Sequence, residues 1–244
     1  MSEDFKDILK EVKGLKKKIK FYSPTKDKEY EIEPLTLKQQ KDILEKTMSS
    51  NLSILFFNNI LYSIIKENAS SDLSEFDTID RVSIALSFRE RINNEYEVNG
   101  KDILISDVIL KNKTKHLIKP KTIEVENYKF YLQSPNLIKD SEINKILINK
   151  YKNKDEDKYM NSLVSDLYVY ELAKFILKME INEHKFDFEN NIDEGISILK
   201  EIDSSIFKNI FEYIGKVRDV EFKLTEIPDS KDSITLAPDF FIVQ

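Results

Sequence analysis

Apolar positions recur at helical spacing through most of the chain. Phe5, Ile8, Leu9 and Val12 define one side of a short amphipathic helix over residues 3–13. Such a helix docks either on its own body, the simpler outcome, or on a partner. Two β-like runs follow, Lys18 to Tyr22 and Glu29 to Glu33. Ser23-Pro24-Thr25-Lys26-Asp27 separates them, so a hairpin with a loop of several residues is expected. Beyond Pro34, Thr36 and Gln39 fit a capping box that opens a helix carrying Leu37, Ile43 and Leu44 to about Ser49. The clearest periodicity begins near Asn51. Phe57, Ile60, Leu61, Ile64 and Ile65 fall at i, i+3, i+4, i+7 and i+8, which places them on one buried stripe. A polar acidic connection, Ser71 to Asp77, leads to a third helix over Thr78 to Ile92 with Ile79, Val82, Ala85 and Leu86 inward.

The pattern then changes period. Glu95 to Val98, Asn99-Gly100 and Ile103 to Ile105 form a strong hairpin signal, because a type I′ turn requires positive φ at both central residues. Lys111 to Lys119 is a basic stretch of flexible character. Thr122 to Val125 and Tyr128 to Leu132 flank Glu126-Asn127 as a further hairpin, closed by Pro135. Helices return over Ser141 to Tyr151 and Lys158 to Lys178. The second is apolar nearly all round, so it is expected to be the central helix of the second half. Met179 to Phe188 alternates as a strand pair, Ile192 to Ile202 is helical, and Asp203 or Ser204 caps a last helix bearing Ile206, Phe207, Ile210, Phe211, Ile214 and Val217. The expected class is α+β and helix-rich. It comprises an N-terminal hairpin with helices (1–93), a middle β-hairpin segment (94–136), a C-terminal helical bundle (137–226) and a tail (227–244).

Composition narrows the function more than the fold. With 41% hydrophobic residues and 34% charged, the chain is too apolar to be disordered. Its net charge of −6 opposes nonspecific attraction to nucleic acid or anionic lipid. Only four of the 38 basic residues are arginine (Arg81, Arg89, Arg91, Arg218), which weighs further against base and phosphate readout. The absence of cysteine excludes disulfides, thiolate nucleophiles and cysteine-based zinc sites. The N-terminal MSEDFKDILK lacks the apolar core of a secretion signal, and no apolar run approaches the length of a membrane span, so a cytoplasm-like compartment is expected.

Candidate chemistry is sparse. His184, Asp187 and Glu189 could be drawn as a metal cluster, but on a strand His184 and Asp187 point to opposite faces. Asp155, Glu156 and Asp157 lack the glycine and glutamate positions of a calcium loop and read as a solvated loop. No phosphate-cradling glycine loop or nucleophile elbow occurs, so neither catalytic residues nor a cofactor are expected. The lysines of Leu15 to Lys20, with those of Lys111 to Lys119, leave a nucleic-acid-associated accessory role as the alternative to a protein-interaction role. Phe240, Phe241, Ile242 and Val243 end an otherwise polar tail and must either fold back or meet another chain. Phe5, Ile8, Phe240, Phe241 and Ile242 are therefore the candidate partner contacts.

The segment Glu33-Pro34-Leu35-Thr36-Leu37-Lys38-Gln39-Gln40-Lys41-Asp42-Ile43-Leu44 is followed by a helix and a short acidic loop. Phe76-Asp77-Thr78-Ile79-Asp80-Arg81 and Leu86-Ser87-Phe88-Arg89-Glu90-Arg91 come next. This layout, with a Phe-Phe pair near the end at Phe240-Phe241, resembles the baseplate hub subunit or hub-assembly protein family of T-even-like contractile-tailed bacteriophages. The likeness is best over residues 30 to 95. It implies a non-enzymatic structural or assembly protein that binds other tail and baseplate proteins and works in the bacterial host cytoplasm during assembly, either staying in the virion tail baseplate as a subunit or leaving it as an assembly factor. Several relatives carry metal-binding cysteines in the middle region; this chain has none, so no metal is implied here.

Overall fold

A computed structural model describes residues 3–47, 53–116, 118–152 and 156–241. The first helix, α1 (Glu3–Gly14), leads into an antiparallel hairpin of β1 (Ile19–Ser23) and β2 (Lys28–Ile32). Alternation on β1 sends Phe21 and Ser23 inward, and Phe21 stacks on Tyr30 at 5.7 Å while both rings meet Phe76 edge-on. Thr36 and Gln39 form the expected reciprocal cap, with N–H to Oγ1 at 3.2 Å and N–H to Oε1 at 3.0 Å, and open α2 (Leu37–Thr47). Leu37 is turned to solvent, whereas Ile43 is buried. α3 (Ser53–Asn68) buries Phe57, Leu61, Ile64 and Ile65 as the periodicity requires. The expected boundary between these helices, Ser49 to Asn51, lies outside the described residues.

The stretch expected to be a polar connection instead contributes to the core. Leu73 and Phe76 are buried, and Asp77 begins α4 (Thr78–Ile92). Asp77 accepts hydrogen bonds from the N–H groups of Ile79 and Asp80, and the Asp80 carboxylate accepts one from the Asp77 N–H at 3.0 Å. The same buried carboxylate accepts from the Ser23 hydroxyl at 2.6 Å and the Thr25 hydroxyl at 2.7 Å, which fastens the first hairpin to the start of α4. Replacing Asp80 with alanine strands these donors and the Thr25 N–H, which lies 3.5 Å from the same carboxylate. The expected loss is about 3 kcal/mol in urea unfolding, against under about 1 kcal/mol for the exposed cap Asp72→Ala.

α4 is enclosed on nearly all sides. Ile84 and Phe88 are as deeply buried as Ile79, Ala85 and Leu86. It packs on β1, on α5 (Ile105–Lys111), on α6 (Leu137–Tyr151) and on α9 (Lys208–Lys223). In the second half, the helix expected to be central there, α7 (Glu156–Phe175), does pack on α6, on α9 and on the helix Ile192–Glu201. It leaves Val164 and Tyr168 exposed, however, and stops short of Lys178.

The reason for that stop lies elsewhere in sequence. β7 (Ile176–Ile181) pairs with β8 (His184–Asp187) and also with β6 (Tyr128–Leu132), which itself pairs with β5 (Lys121–Val125). The result is an antiparallel sheet of order β5-β6-β7-β8. An open edge on β6 supplies hydrogen-bond partners that override the helical pattern of Ile176, Leu177 and Lys178. Ile123, Phe130 and Met179 fill the buried face. Hydrogen bonds thus run across residue 136, and buried side chains from all the expected segments join one hydrophobic cluster.

The middle hairpin, β3 (Glu95–Val98) with β4 (Lys101–Leu104), turns at Asn99 and Gly100 with φ of 53° and 76°. Ile105, expected to close the strand, begins α5 instead. The basic stretch beyond it is tied down on the first hairpin. Lys113 meets Glu29 at 2.5 Å, Lys115 meets Asp27 at 3.5 Å, and the His116 N–H donates to the Pro24 carbonyl. α8 (Ile192–Glu201) and α9 complete the helical half. The fold is α+β and helix-rich, with its strands in small antiparallel sheets.

The tail folds back. Ile227 and Ile234 are buried, and the short helical turn Pro238–Phe241 inserts both phenylalanines against α2 and α4. Phe240 meets Tyr96 at 5.2 Å and Phe241 meets Phe57 at 5.9 Å between ring centroids. The expectation of Phe240 and Phe241 as partner contacts is corrected accordingly, because their own chain covers them. Ile242 lies outside the described residues.

Candidate functional site

α1 is the element the body leaves uncovered. Ile8 is 59% exposed, Val12 54% and Leu15 79%. These three follow at i, i+4 and i+7, so one apolar face looks outward over the length of the helix. Leu15 lies one residue beyond α1, and its N–H still donates to the Glu11 carbonyl at 3.0 Å, which prolongs the helical turn. Docking on the body, the simpler outcome, is therefore not what the described side chains do. The Phe5 side chain lies outside what the structure describes. Ile8 is thus the candidate contact that stays available to another chain.

The polar groups inside the molecule make a different kind of site. Between α3, α4, α7, α9 and the tail lies a cleft of about 400 Å³. Leu55, Leu61, Val82, Ile234 and Leu236 contribute to its apolar wall, and Arg81, Glu171, Lys174, Arg218 and Glu221 bring charge to it. Arg81 donates to Asp140 at 2.5 Å, and Lys174 reaches the other oxygen of Asp140 at 2.8 Å. Lys174 also lies 3.6 Å from Glu171, which accepts from Arg218 Nε at 3.1 Å; Arg218 in turn donates to Glu221 at 2.6 Å. Six charges alternate in sign along this ladder and sum to zero. Burial alone would raise the Asp140 carboxyl, but Lys174 and Arg81 more than offset it and hold the group well below its ordinary range. Such an arrangement joins α4, α6, α7 and α9 and keeps each charge neutralised by a neighbour.

Two smaller polar centres also serve the fold. Asp166 gathers Lys150, Lys200 at 3.0 Å and the Tyr151 hydroxyl at 2.7 Å, linking α6, α7 and α8. Arg89, 2% exposed, donates to the carbonyls of Asn93 and Glu95 at the end of α4 and lies over the rings of Tyr96 and Phe240. Two stretches that carry the family resemblance, Leu86-Ser87-Phe88-Arg89 and Phe240-Phe241, therefore touch.

The remaining candidates separate. His184 is an exposed strand residue, while Asp187 accepts from the Glu189 N–H and the Asn190 amide, both at 2.9 Å, and shapes the turn before α8. No group of three His, Cys, Asp or Glu side chains suited to a metal ion occurs among the described residues. Asp155 lies outside them. Of the two lysine patches, Lys16 pairs with Glu33, Lys20 with Glu29, Lys111 with Glu226, Lys113 with Glu29 and Lys115 with Asp27. These carboxylates blunt the positive field that a nucleic acid would seek. Among the described residues no helix is long and apolar enough to cross a membrane. No family model, no curated protein and no solved structure matches this chain.

Proposed function

We propose that this chain is a structural or assembly protein of a phage tail baseplate, a hub subunit or a hub-assembly factor, which acts through protein–protein interfaces. The observation that carries this reading is the outward apolar face of α1 on a body whose charges are paired internally. A helix of this kind draws most of its stability from having its face covered, and the described residues leave Ile8, Val12 and Leu15 exposed. The resemblance over residues 30 to 95 supplies the setting. The residues that carry it cap helices (Thr36, Gln39, Asp77, Asp80) or bind other elements (Arg81, Arg89), as a scaffold requires. Its partners are other tail and baseplate proteins, met in the host cytoplasm during assembly, and it needs neither cofactor nor catalytic centre. The nucleic-acid alternative lacks comparable support, since five lysines of its patches already face carboxylates.

The test is capture of tail proteins by the tagged chain during infection or co-expression. The wild type is expected to retain them. Ile8→Glu with Val12→Glu is expected to reduce capture at least about tenfold, because charge at the centre of an interface costs several kcal/mol. The melting temperature of the body should stay within about 2 °C, since neither side chain packs on it. A wild-type chain found alone, absent from both tail particles and assembly intermediates, removes the proposal.

A further inference from the structure

We infer that the cleft between α3, α4, α7, α9 and the tail receives a tryptophan side chain of a protein partner, its indole N–H donated to Glu221. The inference rests on the preceding reading that the chain works through protein interfaces, and it adds the chemistry of one contact away from α1. The cleft holds about 400 Å³, room enough for the largest side chain, and its apolar wall supplies contact for a ring. Charge decides what kind of group enters. The ladder along the cleft already sums to zero, and Lys174 is surrounded by Asp140 at 2.8 Å, Asn144 at 2.9 Å and Glu171 at 3.6 Å. A phosphate, a carboxylate or an ammonium group would add an unpaired charge beside side chains that are 8% exposed at Lys174 and 4% at Asp140, at a large desolvation cost. The occupant is therefore neutral.

It also carries a hydrogen-bond donor. Glu221 accepts from Arg218 through Oε2 at 2.6 Å, whereas its Oε1 is buried with no hydrogen-bond partner. Among the described residues, no other side chain lining the cleft has a buried polar atom left without a partner. An ionised carboxylate only accepts, so this oxygen calls for an N–H or an O–H. The indole N–H is a donor with no lone pair to strand, and it sits on the edge of a large apolar ring. A phenol would bring hydroxyl lone pairs that the carboxylate cannot satisfy. Tryptophan is also among the side chains that most often anchor an interface from a desolvated pocket.

The chain contains no tryptophan, so every indole signal in a mixture belongs to an added compound. N-acetyltryptophanamide is titrated into the full chain and followed by nuclear magnetic resonance. It is expected to bind with a Kd of about 1 mM, since one ring brings few contacts. Its ring protons should show Overhauser contacts to the methyl groups of Leu61, Val82 and Leu236. The analogue methylated on the indole nitrogen keeps the ring and loses the donor, so its affinity should fall at least about tenfold. This comparison changes the ligand alone and leaves the fold untouched. Equal affinity for the two compounds, ring contacts confined to other residues, or no saturation by about 10 mM overturns the inference. If the indole fails to bind while tail proteins are still captured, the cleft is not their contact and the assembly reading stands. An indole held in the cleft of a chain that captures no tail protein does the opposite: it supports the ring site and removes the assembly reading.

Discussion

Phe240→Ala is expected to lower the stability of the fold by about 3–5 kcal/mol, the range for emptying a buried aromatic site. The ring is 0% exposed and sits edge-on to Tyr96 at 5.2 Å and to Phe241 at 5.3 Å. A further neighbour makes the loss larger than volume alone implies. The Arg89 guanidinium lies 5.9 Å from the Phe240 ring centroid and has no carboxylate partner among the described residues. Two carbonyls and two aromatic faces hold its charge, and burial pulls its pKa down. Removing one face leaves a cation beside a void. Phe240→Leu keeps most of the volume but not the ring quadrupole, so its own loss relative to the wild type reads mainly the cation–π part, about 1–2 kcal/mol, and the further loss of Phe240→Ala reads the void. Phe222→Ala, at a ring 52% exposed, should cost under about 1 kcal/mol. Urea unfolding of the three variants reads the order directly. Equal midpoints for Phe240→Ala and Phe222→Ala would mean that the tail does not dock.

That tail shows where sequence reasoning stops. An apolar cluster at a polar terminus says that cover is needed, but cover by the chain and cover by a partner look alike until α2, α4 and the β3–β4 hairpin are in place. The amphipathic pattern of α1 was equally legible, and there the outcome is the opposite. Local signals carried through where the interactions are local. The Thr36–Gln39 cap, the Asn99-Gly100 turn and the bounds of α4 all depend on residues within a few positions of one another. They failed where a distant strand decides. Ile176 to Lys178 continue a helical pattern, yet β6, more than forty residues earlier, takes them into a sheet. The buried charge ladder was invisible for the same reason, because Arg81, Asp140, Lys174 and Arg218 come from four separate helices. One clue was present. In a chain with only four arginines, Arg81, Arg89 and Arg218 all serve internal contacts, where a planar fork of donors does what a lysine cannot.

Asp140→Asn should be the most costly single change of charge, about 3–5 kcal/mol at neutral pH, because it leaves Arg81 and Lys174 buried without the anion between them. Lys174 keeps Glu171 at 3.6 Å, but Arg81 has no second carboxylate partner among the described residues. The exposed pair Lys129–Glu124 gives the contrast: Glu124→Gln should cost under about 1 kcal/mol. The sign of the pH dependence follows from the direction of the shift. The Asp140 carboxyl is held below its ordinary value of 3.8 in the folded chain, so the unfolded chain binds the proton more readily. Its stabilisation is complete above that ordinary value and is lost progressively as pH falls from 3.8 toward the lower folded value. Wild type and Asp140→Asn should therefore differ most at about pH 6–7 and converge in acid, when unfolding midpoints in urea are followed from about pH 7 to about pH 2.5. A gap that stayed constant over that range would mean that the lost interaction was shape rather than charge, and that the ladder at the base of the cleft is not what joins α4 to α6 and α7.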